Sequence, residues 1–260
     1  MNNKPIGIFD SGIGGLTVLQ NLIKELPNEN YIYIGDNKHC PYGDKTKEQL
    51  FDYACSIIDY FIKEEVKLIV VACNTVSSNI LPSLIEKYNT VKIIGIIKST
   101  TKLLLKTNSK NTLVIATRAT VESHAYKKEI EAANKSINVM ELMTPLLAPL
   151  IEAGSCVKID EALDEYFKQV DSSFDSLVLG CTHYPIVTDM IKAIIGDKQI
   201  ISSSYGIVND VNEYLTKNDM KGHEKKIQVY TTGDAQDFVS SSINFFDYQD
   251  NITIEKLELN

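Results

Sequence analysis

Leu68-Ile69-Val70-Val71-Ala72-Cys73-Asn74-Thr75 is a run of branched apolar residues that stops at a small residue, a thiol and two hydrogen-bonding side chains. A run of this length closed by a turn reads as a buried parallel strand, and in open α/β sheets ligands collect just beyond the carboxyl ends of such strands. The stretch is echoed by Leu177-Val178-Leu179-Gly180-Cys181-Thr182-His183-Tyr184-Pro185. Each thiol therefore stands where chemistry usually stands. The reading that follows is that Cys73 and Cys181 face one another across one cleft, each supplied by a different half of the chain.

Outward from these stretches, strand-like runs recur near 5–9, 31–35, 92–97, 112–117, 138–142, 176–181, 199–203, 226–232 and 252–257, with helical patterns between most of them. Val121 to Ala133 and Glu161 to Val170 carry helical periodicity. Alternation of this kind predicts parallel sheets with helices on their faces. The strands are too many for one comfortable sheet, so the expected architecture is two similar α/β lobes with the active site at their interface. The lobes are expected to meet near Lys98 and again near Ser204, giving 1–97 plus 205–260 as the Cys73 lobe and 98–204 as the Cys181 lobe. No extended internal repeat marks a duplication.

Composition narrows the function. The formal net charge is -8 and no Lys/Arg cluster is sustained, which argues against wrapping a nucleic acid backbone. The five cysteines, at 40, 55, 73, 156 and 181, form no C-x-x-C pair. They offer neither a disulfide framework nor a zinc ribbon and suit a reducing compartment. No stretch approaches the roughly 18 apolar residues of a membrane span, and Ile6-Gly7-Ile8-Phe9 is too short for a signal segment. A cytoplasmic protein is expected, without a metal, because no His/Cys/Asp cluster has ligand spacing.

Further motifs fall at the ends of other strands. Asp10-Ser11-Gly12-Ile13-Gly14-Gly15 follows the first one and opens a helix at about Leu16. Glycines there let the backbone approach a ligand, and free N–H groups favour an anion; the alternative is a tight strand-to-helix turn and nothing more. The third glycine of a dinucleotide fingerprint is Thr17, so that motif fails. Pro41-Tyr42-Gly43-Asp44 follows Asp36 and either holds donors for a carboxylate or is a plain turn capped by Asp44. A thiol just before a helix near Val76 feels the positive helix end, which lowers its pKa. Pro185 suits the first turn of another helix after Cys181, and His183 could relay a proton. Thr117 is either a ligand contact or a helix cap, and Glu152 either a site residue or a solvated one. Cys40, Cys55 and Cys156 have no comparable setting, and no chemistry is assigned to them.

Taken in order and spacing, Asp10-Ser11-Gly12-x-Gly14-Gly15, Pro41-Tyr42-Gly43, Cys73-Asn74-Thr75 and Gly180-Cys181-Thr182-His183-Tyr184-Pro185 resemble the signature of the cofactor-independent glutamate racemases of the aspartate/glutamate racemase superfamily. The likeness runs from Pro5 to about Phe246. It implies two catalytic thiols, Cys73 and Cys181, assisted by Asp10, Glu152 and His183. It implies that Asp10, Ser11, Tyr42, Gly43, Asn74, Thr75, Thr117, Thr182 and His183 bind the amino acid. It also implies no cofactor, a homodimer, and a supply of D-glutamate for peptidoglycan. The chain departs from the pattern at Ala116 and Ala119, where glycines are usual, and at Lys98-Ser99-Thr100, which lacks a common proline.

Two bases on opposite faces are a direct way to invert a Cα centre, and fixed donors would stabilise the developing carbanion. A cysteine hydrolase using Cys181 and His183 is a rival reading that leaves Cys73 idle. A non-catalytic amino-acid-binding protein on the same lobes is another.

Overall fold

The computed structural model describes residues 2–248 and 252–259. Among them, β1 (Ile6–Asp10), β2 (Tyr31–Gly35), β3 (Leu68–Val71), β4 (Ile93–Gly95), β9 (Ile227–Thr231) and β10 (Ile252–Lys256) form one sheet, in the order β10-β9-β2-β1-β3-β4. β5 (Asn111–Ala116), β6 (Asn138–Met143), β7 (Ser176–Gly180) and β8 (Gln199–Ser202) form a second, in the order β6-β5-β7-β8. All neighbouring strands are parallel. The central strands β1, β2, β3 and β7 are buried along their whole length, as parallel strands covered on both faces must be. The fold is thus two parallel-sheet α/β lobes.

Alternation along β1 shows how the two faces are used. Ile6 and Ile8 pack with the helix Leu16–Glu25, while Phe9 points to the opposite face and the helix Lys47–Lys63. The core containing Ile6 and Ile8 continues without interruption to Val114 and Val178 of the second sheet. It does so beneath two helices, Ile96–Leu104 and Ser203–Lys217, which pack on each other between the sheets. Gly206 allows that crossing, because a Cβ there would lie 2.7 Å from the Ser99 carbonyl. Ser99 itself donates to Asp210 at 2.6 Å, so the residue that departs from the family pattern joins these two helices.

Register then fixes which residues emerge together. Phe9 pairs with Val71, so Asp10-Ser11 and Ala72-Cys73 leave the first sheet at one edge. Ala116 pairs with Gly180, so Thr117 and Cys181 leave the second sheet side by side.

Several boundaries differ from the sequence reading. β3 ends at Val71 and its helix begins at Asn74 rather than Val76. The run 92–97 is a strand only over Ile93–Gly95 before a helix takes over at Ile96. The periodic stretch 121–133 is two helices, Arg118–Ser123 and Ala125–Ala133, separated by His124 at φ 53°; a left-handed residue breaks the hydrogen-bond ladder without disturbing the apolar spacing. The periodicity at 161–170 belongs to a helix that starts earlier, Cys156–Phe167. Thr46, not Asp44, caps Lys47–Lys63, through a reciprocal capping box with Gln49. Pro185 sits in a 3₁₀ turn, Tyr184–Val187, and the α-helix begins only at Thr188.

Candidate active site

A cavity of about 160 Å³ lies where the two sheet edges face each other. Ser11, Tyr42, Gly43, Cys73, Asn74 and Thr75 line it from the first sheet, and Thr117, Glu152, Cys181, Thr182 and His183 from the second. Of the residues nominated from sequence, only Asp10 is not on the wall. Its fully buried carboxylate stands behind it, accepting from the Gly12 and Gly15 N–H groups at 3.3 and 2.9 Å and from the Thr182 hydroxyl at 3.2 Å.

These contacts revise the reading of the glycine-rich turn. Its backbone donors hold a carboxylate of the chain itself, not a free anion. The glycines make room for the opposite lobe: a Cβ on Gly12 would lie 2.4 Å from Glu152 Oε1, and one on Gly14 would lie 2.5 Å from His183 Nδ1. Thr17, where the dinucleotide fingerprint fails, donates across the interface to the Thr182 carbonyl at 3.1 Å.

The thiols differ in their surroundings. Cys73 is the N-cap of the helix Asn74–Asn79, as the sequence suggests, yet its pKa is raised rather than lowered. Burial penalises the thiolate and the Asp10 charge adds to this, outweighing the Val76 and Thr75 N–H groups. Cys181 instead has His183 Nδ1 at 3.6 Å, and His183 Nε2 contacts Glu152 Oε1 at 2.8 Å. Burial alone would push the His183 imidazole down; the hydrogen bonds to Cys181 and Glu152 reverse this and hold it well above its ordinary value. Glu152 is likewise penalised by burial, but its bonds to His183, Cys40 and the Ile13 N–H bring it below the usual range. So the pair a cysteine hydrolase would need does face itself, but Cys73 shares the same cavity.

Hydroxyls and amides complete the wall. Tyr42 lines the cavity, but its hydroxyl is turned to buried Asp36 at 2.5 Å. Thr232 and His39 hold the other positions on that carboxylate. The Asn74 carboxamide accepts from Tyr126, which reaches over from the second lobe, at 2.6 Å. Thr75 and Thr117 meet across the interface at 3.0 Å, with Thr120 beside them. The Thr117 side chain does not cap its helix. The lining contains no Lys or Arg; a ligand's carboxylates would meet the hydroxyls and amides of the wall, and an ammonium the Glu152 carboxylate.

Sequence reasoning missed Cys40, which lines the cavity with its Sγ 3.4 Å from Glu152 Oε2. Its only signal was adjacency to Pro41-Tyr42-Gly43. Ala148 and Pro149, also on the wall, left no signal, because small apolar residues in a helix look the same wherever they face. No group of three or more His, Cys, Asp or Glu side chains among the described residues is arranged to hold a metal ion.

Residues 6–208 match the model of the Asp/Glu/hydantoin racemase family. The chain belongs to that family. A glutamate racemase from Lactobacillus acidophilus is 37% identical over 95% of both chains, and glutamate racemase 2 from Caldanaerobacter subterraneus subsp. tengcongensis is 40% identical over 92% of this chain and 91% of its own. Among solved structures, glutamate racemase from Francisella tularensis in complex with D-glutamate superposes with a TM-score of 0.90 at 33% identity, covering 100% of this chain and 99% of that one. Glutamate racemase isoform RacE1 from Bacillus anthracis gives a TM-score of 0.93 at 28% identity over the same shares. This family membership makes the chain an isomerase of the racemase type.

Proposed function

We propose that the chain interconverts L-glutamate and D-glutamate, without a cofactor, by proton transfer through Cys73 and Cys181, and thereby supplies D-glutamate for peptidoglycan. One observation carries the mechanism: two thiols from different sheets line a single small cavity. A planar carbanion held between them receives its proton from the side opposite the one that lost it. By analogy with the family, Cys73 takes the proton of D-glutamate and Cys181 that of L-glutamate.

The Cα proton is a very weak acid, so the base must be strong and the charge it creates must be stabilised. Burial makes Cys73 a poor acid and hence, once ionised, a strong base. The substrate's ammonium, together with the His183 imidazole held in its charged form beside Cys181, offsets the burial penalty and favours one thiolate. Ser11, Asn74, Thr75, Thr117 and Thr182, with the Gly43 backbone, supply donors for the substrate carboxylates. His183 and Glu152 tune Cys181, and Asp10 biases Cys73.

The two lobes are assigned as 1–97 with 205–260 and 98–204, closing on the substrate. A cytoplasmic location and a homodimeric assembly belong to the same proposal, by analogy with the family; among the described residues no helix is long and apolar enough to cross a membrane.

Incubation with L-glutamate, and separately with L-aspartate, in deuterated water tests the reading. Loss of the Cα proton signal together with falling optical rotation is expected with glutamate. Exchange with aspartate only would reassign the substrate, and exchange with neither would overturn the function. Activity surviving Cys73→Ala would favour the hydrolase chemistry instead.

A further inference from the structure

Cys40 stands outside the two-thiol scheme and outside every motif, yet it closes a chain of polar contacts. Its Sγ lies 3.4 and 3.6 Å from the two oxygens of Glu152. Glu152 reaches His183, and His183 reaches Cys181. Cys40 belongs to the first lobe and the other three to the second, so the contact spans the interface. Burial, with the charges of Glu152 and Asp10, pushes the Cys40 thiol up, so it remains protonated and can only donate to the carboxylate. The Ile13 N–H adds a second first-lobe donor to Glu152, and the missing side chain of Gly12 leaves the space Glu152 occupies.

We propose that Cys40 is a positioning residue: its S–H anchors Glu152, and through it the His183 ring, at Cys181 when the lobes are closed. This deepens, and for its kinetic part rests on, the racemase reading. An anchored carboxylate keeps His183 aligned with one thiol; an unanchored one, three-quarters buried, would swing to water or take up a proton. The first lobe thus takes part in the proton chemistry of the second lobe's thiol. Cys40 needs no contact with the reacting atoms for this.

Cys40→Ala removes the donor and Cys40→Ser keeps one. The ionised form of Glu152 loses a stabilising bond in the alanine variant, so its carboxyl titrates at higher pH. Protonated Glu152 no longer supports His183, so the acid limb of kcat/KM moves to higher pH in the same variant. The groups facing this cluster, Asp10, Tyr33, Cys73, Cys181 and His183, are unchanged in both variants. We expect kcat/KM to fall about tenfold for Cys40→Ala at neutral pH, chiefly in kcat, and the serine variant to recover most of it.

The Glu152 titration, followed by carboxyl ¹³C NMR with Glu152→Gln for assignment, reads the anchor without any turnover. An unmoved titration in Cys40→Ala overturns the proposal whatever the enzyme catalyses. A moved titration with an unmoved acid limb, or a rise in KM alone, would make Cys40 a substrate contact and overturn its positioning role. If the titration moves and the wild-type protein racemises nothing, the anchor stands and the racemase reading fails.

Discussion

The Cys73 and Cys181 halves of the site look alike in sequence and differ in their physics. Each presents a thiol beyond the end of a buried parallel strand, followed by residues that hydrogen-bond. Around Cys73 the neighbours are a short helix N-terminus and the Asp10 carboxylate, and the sum disfavours the thiolate. Around Cys181 the neighbours are an imidazole and, behind it, Glu152. The difference teaches that two thiols lining one cavity need not be tuned by the same device, and under the proposed mechanism these are the two bases. It also carries a constraint: enantiomers have equal free energy in achiral water, so kcat/KM must be equal in both directions however lopsided the surroundings. The asymmetry has to show in kcat, in isotope effects and in how each half fails.

Removing either thiol is the harshest test. Cys73→Ala and Cys181→Ala should each lower racemisation by about 10³-fold or more in a polarimetric assay. The remaining base can still lift and return its own proton. Cys181→Ala should therefore retain slow solvent-deuterium exchange with D-glutamate only, and Cys73→Ala with L-glutamate only; exchange with both enantiomers in either variant would break the assignment of faces.

A second test strikes the support of Cys181 alone. His183→Ala or Glu152→Gln should cost about 10²-fold in kcat, with a larger primary deuterium effect from L-glutamate than from D-glutamate, because only the Cys181 step is slowed. Gly14→Ala, whose new Cβ would collide with His183, should reproduce the pattern in weaker form.

The opposite half is read by alkylation. In the ligand-free enzyme the raised Cys73 pKa means that its iodoacetamide reaction, followed by peptide mapping, should lag a free cysteine at pH 8 and quicken as pH rises. Neutralising the neighbour in Asp10→Asn lowers that pKa and should speed the reaction by about threefold at the same pH. No acceleration would mean that Asp10 does not bias this thiol.

The gentlest change is Thr120→Val, which removes one hydroxyl from the cluster joining Thr75 and Thr117 across the interface. A rise of about threefold in KM with kcat held is expected, since one neutral hydrogen bond contributes about 1 kcal/mol.

Sequence alone determined the parallel α/β architecture, the two thiol-bearing strand ends and all but one of the first sheet's neighbours in the cleft. Unbroken apolar runs and strand-end chemistry are local, and so are written in consecutive residues. Helix boundaries at His124 and Pro185 were obscured, because a left-handed residue or a 3₁₀ turn leaves apolar spacing nearly unchanged. Only the tertiary structure decided what the polar groups do. The turn Gly12–Gly15 proved to be a seat for Asp10, Glu152 and His183, Tyr42 turned its hydroxyl away to Asp36, and Cys40 joined Glu152 across the chain. Helix-end electrostatics predicted an easily ionised Cys73, and burial reversed it. Each of these depends on which distant group arrives within a few ångströms and how much water it displaces, a property that belongs to the packed lobes and to no single stretch of chain.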